Sequence, residues 1–347
     1  MVRRILWASL ALAPLTMLAD LALHPGRTLL FALSAISLVP LAWLIGEATE
    51  HAAEHTGPGI GGFLNASFGN APELIIALLA VQSGLPNVVR GSIAGSVISN
   101  ILLVLGAAFF FAPERGKLDR VSLLRQLGLV ALAVAAFLVP SIPGWHGNPE
   151  RHALVVLTIP VAIVLLLVYL AYTAWGLRRH HRMHEPGEDA SGAWSLRSSL
   201  AALAAATVVT AVVSEILVHS LDAFAKAAGL TEFFVAAVIV ALVGNAAEHG
   251  GAIVIAKRGK VDLATEIAIT SSAQVGLLVA PVVALASLAF AHSLPLAFRW
   301  EELAAMGLAA IVVAVVVADG RSRRWEGIAL GVAYAGVAVW FGLAGNR

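Results

Sequence analysis

Two short segments of this sequence carry the same chemistry. Gly69-Asn70-Ala71-Pro72-Glu73 and Gly244-Asn245-Ala246-Ala247-Glu248 both read Gly-Asn-Ala-x-Glu, 175 positions apart. On a helix, Asn and Glu at i and i+3 project about 60° apart, so each copy aims an amide oxygen and a carboxylate the same way. The glycine ahead of each Asn, with Pro72 in the first copy, loosens the helix and frees backbone carbonyls. Two carboxylates, two amides and a few carbonyls form an all-oxygen set. Such a set suits a hard cation, Ca2+ first, with Mn2+ or Na+ as alternatives. The chain has no cysteine and His249 is the only histidine close by, so a soft-metal site is not expected. Carboxylates facing one another in a low dielectric repel, so at least one is expected to hold a proton when no cation is present. Loading by metal or by protons, but not by both, is the minimal physical basis of antiport.

A second polar run follows each copy. Ser96-Val97-Ile98-Ser99-Asn100 and Thr270-Ser271-Ser272-Ala273-Gln274 lie 174 positions apart, and each leads into a Leu-Leu-Val sequence. Ser96, Ser99, Ser271 and Ser272 fit either helix packing, helped by Gly91 and Gly95, or the lining of a site. Asn100 and Gln274 are costlier to bury and read as site-lining, as does His249 beside Glu248. Glu47, Glu50 and Glu54, and Glu215 and Asp222, stand apart from the motifs. They fit either solvated helix ends or cation-attracting vestibules and proton relays, the second reading resting on their lack of basic neighbours. Glu232 and Glu266 open helices, where an acid complements the dipole, and read as structural.

The elements that must position these residues are membrane helices. The 347 residues are 59% hydrophobic and 12% charged, with mean hydropathy +0.89; soluble domains carry about 25% charged residues. Disorder and a disulfide scaffold are excluded by the same composition, and a net charge of +1 gives no electrostatic case for nucleic acid. Eleven apolar stretches are long enough to span a bilayer: 5–23, 29–47, 60–82, 88–111, 123–139, 153–175, 200–220, 233–256, 267–291, 303–317 and 325–341. They are continuously apolar rather than alternating, so helices are expected and not barrel strands. The predicted fold is thus an all-α polytopic membrane protein of about eleven transmembrane helices, partnered by the lipid bilayer. Residues 1–27 form an extra span, read as retained rather than as a cleaved signal. Residues 28–177 form a first five-helix repeat, 178–197 a polar, His-rich linker and 198–347 a second repeat. An odd number of spans per repeat inserts the second upside down, the usual build of secondary transporters that rock around a midplane site. Sixteen of the 22 Lys and Arg residues fall on one set of alternate joints and six on the other. This asymmetry predicts a cytoplasmic N-terminus and linker and an external C-terminus.

The motifs at Gly69–Glu73 and Gly244–His249 resemble the calcium/proton exchanger family of the calcium/cation antiporter superfamily. So do the stretches Gly46-Glu47-Ala48-Thr49-Glu50 and Ser214-Glu215-Ile216-Leu217-Val218. The resemblance covers nearly the whole chain from the second span onward. It implies Ca2+ exchanged for H+, with Glu73 and Glu248 as transport-site carboxylates helped by Asn70, Asn245 and carbonyls near Gly69 and Gly244. It is closest to the prokaryotic type, hence a cell membrane, and it implies neither an enzyme nor a permanent cofactor. A sodium-coupled or manganese-selective antiporter on the same scaffold is the alternative.

A remote alternative is a membrane zinc peptidase, because His51-x-x-Glu54-His55 matches the inverted zinc-protease pattern. That pattern has no counterpart in the second half and needs a further acidic ligand. Gly57-Pro58-Gly59-Ile60-Gly61-Gly62 satisfies a dinucleotide-binding pattern but follows no strand, and is expected to be a loop between spans.

Overall fold

The computed structural model describes residues 2–113, 116–145, 152–180 and 194–344. Most of the polar linker, residues 181–193, lies outside the described residues. The described chain is almost wholly helical. In order the helices are α1 (Arg3–Leu23), α2 (Arg27–Phe68), α3 (Ala71–Gln82), α4 (Pro86–Phe111), α5 (Arg120–Trp145) and α6 (His152–His180). They continue with α7 (Leu196–Ala228), α8 (Glu232–Gly244), α9 (Ala246–Lys257), α10 (Val261–Ala289), α11 (Trp300–Val317) and α12 (Arg324–Ala344). Among the described residues nine helices are long and apolar enough to cross a membrane, and the bent pair α8–α9 makes a tenth. The remaining predicted stretch, 60–82, is divided: its start continues α2, and its end is the twelve-residue α3.

The expected loop at Gly57-Pro58-Gly59 is not there. The backbone stays helical through Pro58 to Phe68, giving α2 42 residues. Prolines and glycines are tolerated inside membrane helices because neighbouring groups satisfy the freed carbonyls. The chain breaks twelve residues later, at the asparagine of the motif.

The most extensive single pairing between the two predicted halves is that of α2 with α7, each the opening helix of its half. The extra helix α1 packs on α2: Thr16 and Ser37 share a hydroxyl hydrogen bond of 2.9 Å, and the Trp7 and Trp43 rings meet edge to face at 5.4 Å. One end of the bundle, hereafter the basic face, holds Arg3, Lys117, Trp194, Lys260 and Arg321. A short bridge of Lys117 with Arg321 ties it together. The opposite face holds Gly84, Pro86, His219 and His292.

Both motif copies interrupt a helix at the asparagine. Asn70 (φ −101°, ψ 17°) ends one helix and caps α3, with Pro72 in its first turn. Asn245 (φ −87°, ψ 9°) sits between α8 and α9, which are bent by 59°. The second copy has no proline to break it. Its Asn245 amide instead donates to the Ala241 carbonyl at 3.0 Å, competing with the backbone for the acceptor it needs. Both α4 and α10 widen into π turns, over Ser99–Val104 and Val275–Val279, directly beside Asn100 and Gln274. Such turns are frequent at functional sites.

Candidate functional site

The breaks place Glu73 in the first turn of α3 and Glu248 in the first turn of α9. Glu73 is 4% exposed, and its carboxylate lies against Gly244: a Cβ there would stand 3.2 Å from Glu73 Oε1. A side chain before the second asparagine would press on the first glutamate, which would have to give by a few tenths of an ångström. The Oε2 atom of Glu73 and the Oδ1 atom of Asn70 are buried without a hydrogen-bond partner among the described residues. Buried acceptors without donors are expensive, and two of them at one break form a ready place for a cation.

The amides are held across the molecule. Asn70 donates to Gln274 Oε1 at 2.9 Å, and Asn245 donates to Ser96 Oγ at 2.9 Å. Asn100 donates to Ser271 Oγ at 2.9 Å and reaches Asn245 Oδ1 at 3.5 Å. His249 Nε2 meets Asn100 Oδ1 at 2.8 Å, and the Ser271 hydroxyl donates to Glu248. Glu248 and His249 remain partly exposed. These bonds thus form two groups, Asn70 with Gln274, and Ser96, Asn100, Asn245, Glu248, His249 and Ser271 together, with Glu73 lying against Gly244 beside Asn245 and with Gly69 and Gly244 at the two breaks. Ser99 and Ser272 join neither: their hydroxyls donate to the carbonyls of Ser96 (3.3 Å) and Val97 (3.0 Å).

The separate acids fare differently from their sequence reading. Glu47 has a basic neighbour after all, because Arg3 of α1 donates to it. Asp222 pairs with Lys226 at 2.7 Å. The premise that these two acids lack basic partners is therefore wrong, since α1 packs on α2 and Lys226 lies one turn along the same helix. Glu50 and Glu215 are exposed. Glu215 lines two openings at the opposite face, of about 500 Å³ with Asp20, Arg27 and His219, and of about 320 Å³ with Gln82, Ser83 and His219. Glu266 does more than open a helix: it accepts from Gln126 at 3.0 Å.

The His51 pattern is occupied otherwise. The His51 ring stacks on Trp194 at 5.1 Å and meets Glu54 at 3.2 Å, while His55 Nε2 contacts the Trp194 carbonyl at 2.6 Å. No group of three or more His, Asp or Glu among the described residues is placed to hold a metal.

Three polar residues that sequence reasoning passed over are deeply buried: Arg90 (2% exposed), Gln126 (2%) and Glu302 (1%). Arg90 and Gln126 lie inside the apolar stretches 88–111 and 123–139, which is the signal that marks them, whereas Glu302 stands just outside 303–317 and carries no such signal.

Comparison with known proteins agrees with this architecture. The family model described as sodium/calcium exchanger protein matches residues 27–177 and 198–343. A Ca(2+)/H(+) antiporter ChaA from Bacillus subtilis is 38% identical over 339 residues, covering 94% of this chain and 95% of its own length. A Ca(2+)/H(+) antiporter from Synechocystis is 35% identical, covering 91% of each. A solved structure of native YfkE superposes with a TM-score of 0.84 at 35% identity, over 98% of this chain and 99% of that one. The chain is an integral membrane protein of the sodium/calcium exchanger protein family.

Proposed function

We propose that this protein exchanges Ca2+ for H+ across a prokaryotic cell membrane by alternating access, with Glu73 and Glu248 alternately taking the cation and protons. The observation that carries the reading is the pair at the first break, Glu73 Oε2 and Asn70 Oδ1, buried and without donors among the described residues. Oxygen atoms left open in this way are what a hard cation with six to eight oxygen ligands requires. Glu248, the Asn245 carboxamide and carbonyls freed near Gly69 and Gly244 supply the rest of the set. A carboxylate without its cation is neutralised most cheaply by a proton, so leaving one ligand admits the other. Two carboxylates allow up to two protons per divalent ion. The relatives named as Ca(2+)/H(+) antiporters support the choice of Ca2+ and H+.

The halves 28–177 and 198–347 act as inverted units in this reading, with the basic face cytoplasmic. In it Glu215 stands at the external mouth. Glu47, Glu50 and Glu54 stand at the cytoplasmic one, Glu47 restrained by Arg3.

The test uses the purified chain in liposomes containing a pH dye. A Ca2+ gradient in sodium-free buffer is expected to drive proton movement that Glu73→Gln abolishes. Calcium uptake without proton movement, or only with sodium present, would replace the coupling ion. Uptake of Mn2+ in preference to Ca2+ would replace the substrate.

A further inference from the structure

Two polar crossings join helices that occupy matching places after the two motif copies. α4 and α10 follow the motif helices α3 and α9, and α5 and α11 come next. Near the opposite face, Arg90 at the start of α4 meets Glu302 at the start of α11, with Nε 3.7 Å from Oε2. Arg90 also donates to Asn87 Oδ1 at 2.6 Å, and Glu302 accepts from the Arg299 backbone at 3.0 Å. Near the basic face, Gln126 at the start of α5 donates to Glu266 of α10 at 3.0 Å and accepts from Thr270 at 2.7 Å. The same crossing is thus made once at each end. At one end it is an ion pair sealed from solvent, and at the other an amide against a partly exposed carboxylate.

Taking two opposite charges out of water is costly, and apolar side chains would hold a passive junction at least as well. The ion pair also lies on the same helix as a tight crossing. There α4 lies against α8 without spare room: a Cβ would stand 2.7 Å from the Phe233 carbonyl oxygen at Gly91, and 2.0 Å from that of Ala237 at Gly95. Glu73 is sealed while Glu248 stays partly exposed.

We propose that Arg90 and Glu302 are positioning residues for exchange: their ion pair holds α4, which carries Ser96 and Asn100, in the place that closes the site to the opposite face. The pair parts when the site opens there, and the uncharged Gln126 crossing sets no equal restraint at the basic face. The inference rests on the alternating-access reading above, and its test separates the two.

Because the chain has no cysteine, a single introduced thiol reports access without background. Ala77 (1% exposed) and Ala252 (0%) lie one turn beyond Glu73 and Glu248, toward the opposite face and the basic face respectively. Ala77→Cys and Ala252→Cys, each in the full chain in sealed membrane vesicles, are labelled with a membrane-impermeant maleimide from each side. With Arg90→Met and Glu302→Met together, Ala77→Cys is expected to react about tenfold faster from the opposite face and Ala252→Cys more slowly from the basic face. Arg90→Lys, which keeps the charge, is expected to hold the native rates. Unchanged rates in the inserted double variant, or acceleration of both reporters alike, would overturn the proposal, because loosened packing has no preferred side. Should the double variant fail to insert, Glu302→Gln alone is expected to speed Ala77→Cys, and unchanged labelling there overturns it equally. If Ca2+ alters neither reporter in the otherwise native chain, alternating access itself fails. If Ca2+ alters both and the ion-pair variants alter neither, only the role of Arg90 and Glu302 fails.

Discussion

The two acidic motifs are near copies in sequence and differ in what surrounds their carboxylates. A carboxylate only accepts, so the Ser271 hydroxyl donates to Glu248. The Ser271 oxygen is thereby open to the Asn100 amide, whose own oxygen faces His249 Nε2. The donors line up in one direction, from imidazole to glutamate. Glu73 has no such chain. Position 74 is leucine where the second copy has His249, and position 97 is valine where the second polar run has Ser271. One glutamate is steadied by a relay of donors, and the other is buried with an oxygen left open. Two positions in the surroundings, Leu74 against His249 and Val97 against Ser271, go with this difference.

The largest way to break this pair is to remove a charge. Glu73→Gln and Glu248→Gln are each expected to lower calcium-driven proton flux by more than about a hundredfold while leaving membrane insertion intact. Retained flux in either variant would remove that residue from the site. Crowding the sealed glutamate comes next. Gly244→Ala places a methyl group in contact with Glu73, an overpacking that costs about 1–3 kcal/mol and is expected to reduce flux about tenfold. Gly250→Ala, six residues along where a Cβ meets nothing within 4 Å, is expected to leave flux unchanged. Equal loss in both would mean that helix flexibility, and not contact with Glu73, is at stake.

The smaller effects sharpen the comparison. Ser271→Ala and His249→Leu make the second copy resemble the first. Each is expected to raise the apparent KM for Ca2+ about fivefold, the effect of about 1 kcal/mol from one relay bond. Because both act through the same chain, the double variant is expected to fall short of the product of the two. His249→Gln, which keeps a donor, is expected to recover part of the loss. Full multiplicativity in a transport titration would show that the two residues act separately.

Much of this was legible in the sequence, because helical spans and broken-helix motifs are local signals. The apolar stretches appear in the predicted order, and both breaks fall on the asparagines that the motif singled out. What could not be read were the crossings. That Asn70 finds Gln274, or that Arg3 finds Glu47, depends on which helices meet and in which rotation. The expected loop at Gly57 is also absent, because glycine and proline are only local signals and the backbone continues helical through them.

The cross-molecule bonds have a consequence for how such a chain arises. Asn70 with Gln274, Ser96 and Asn100 with Asn245, Ser271 and His249, and the Val97 carbonyl with Ser272 each join residues from 28–177 to residues from 198–347. On the inverted-repeat reading, a lone five-helix unit contains no complete site. It gains one only beside a second copy inserted the other way up. The ancestral form of this arrangement is then a dimer of one polypeptide with two topologies, its basic residues balanced between its ends. On that reading, fusion into a single chain relieves the constraint: each half then needs only one orientation, and basic residues can gather on one face.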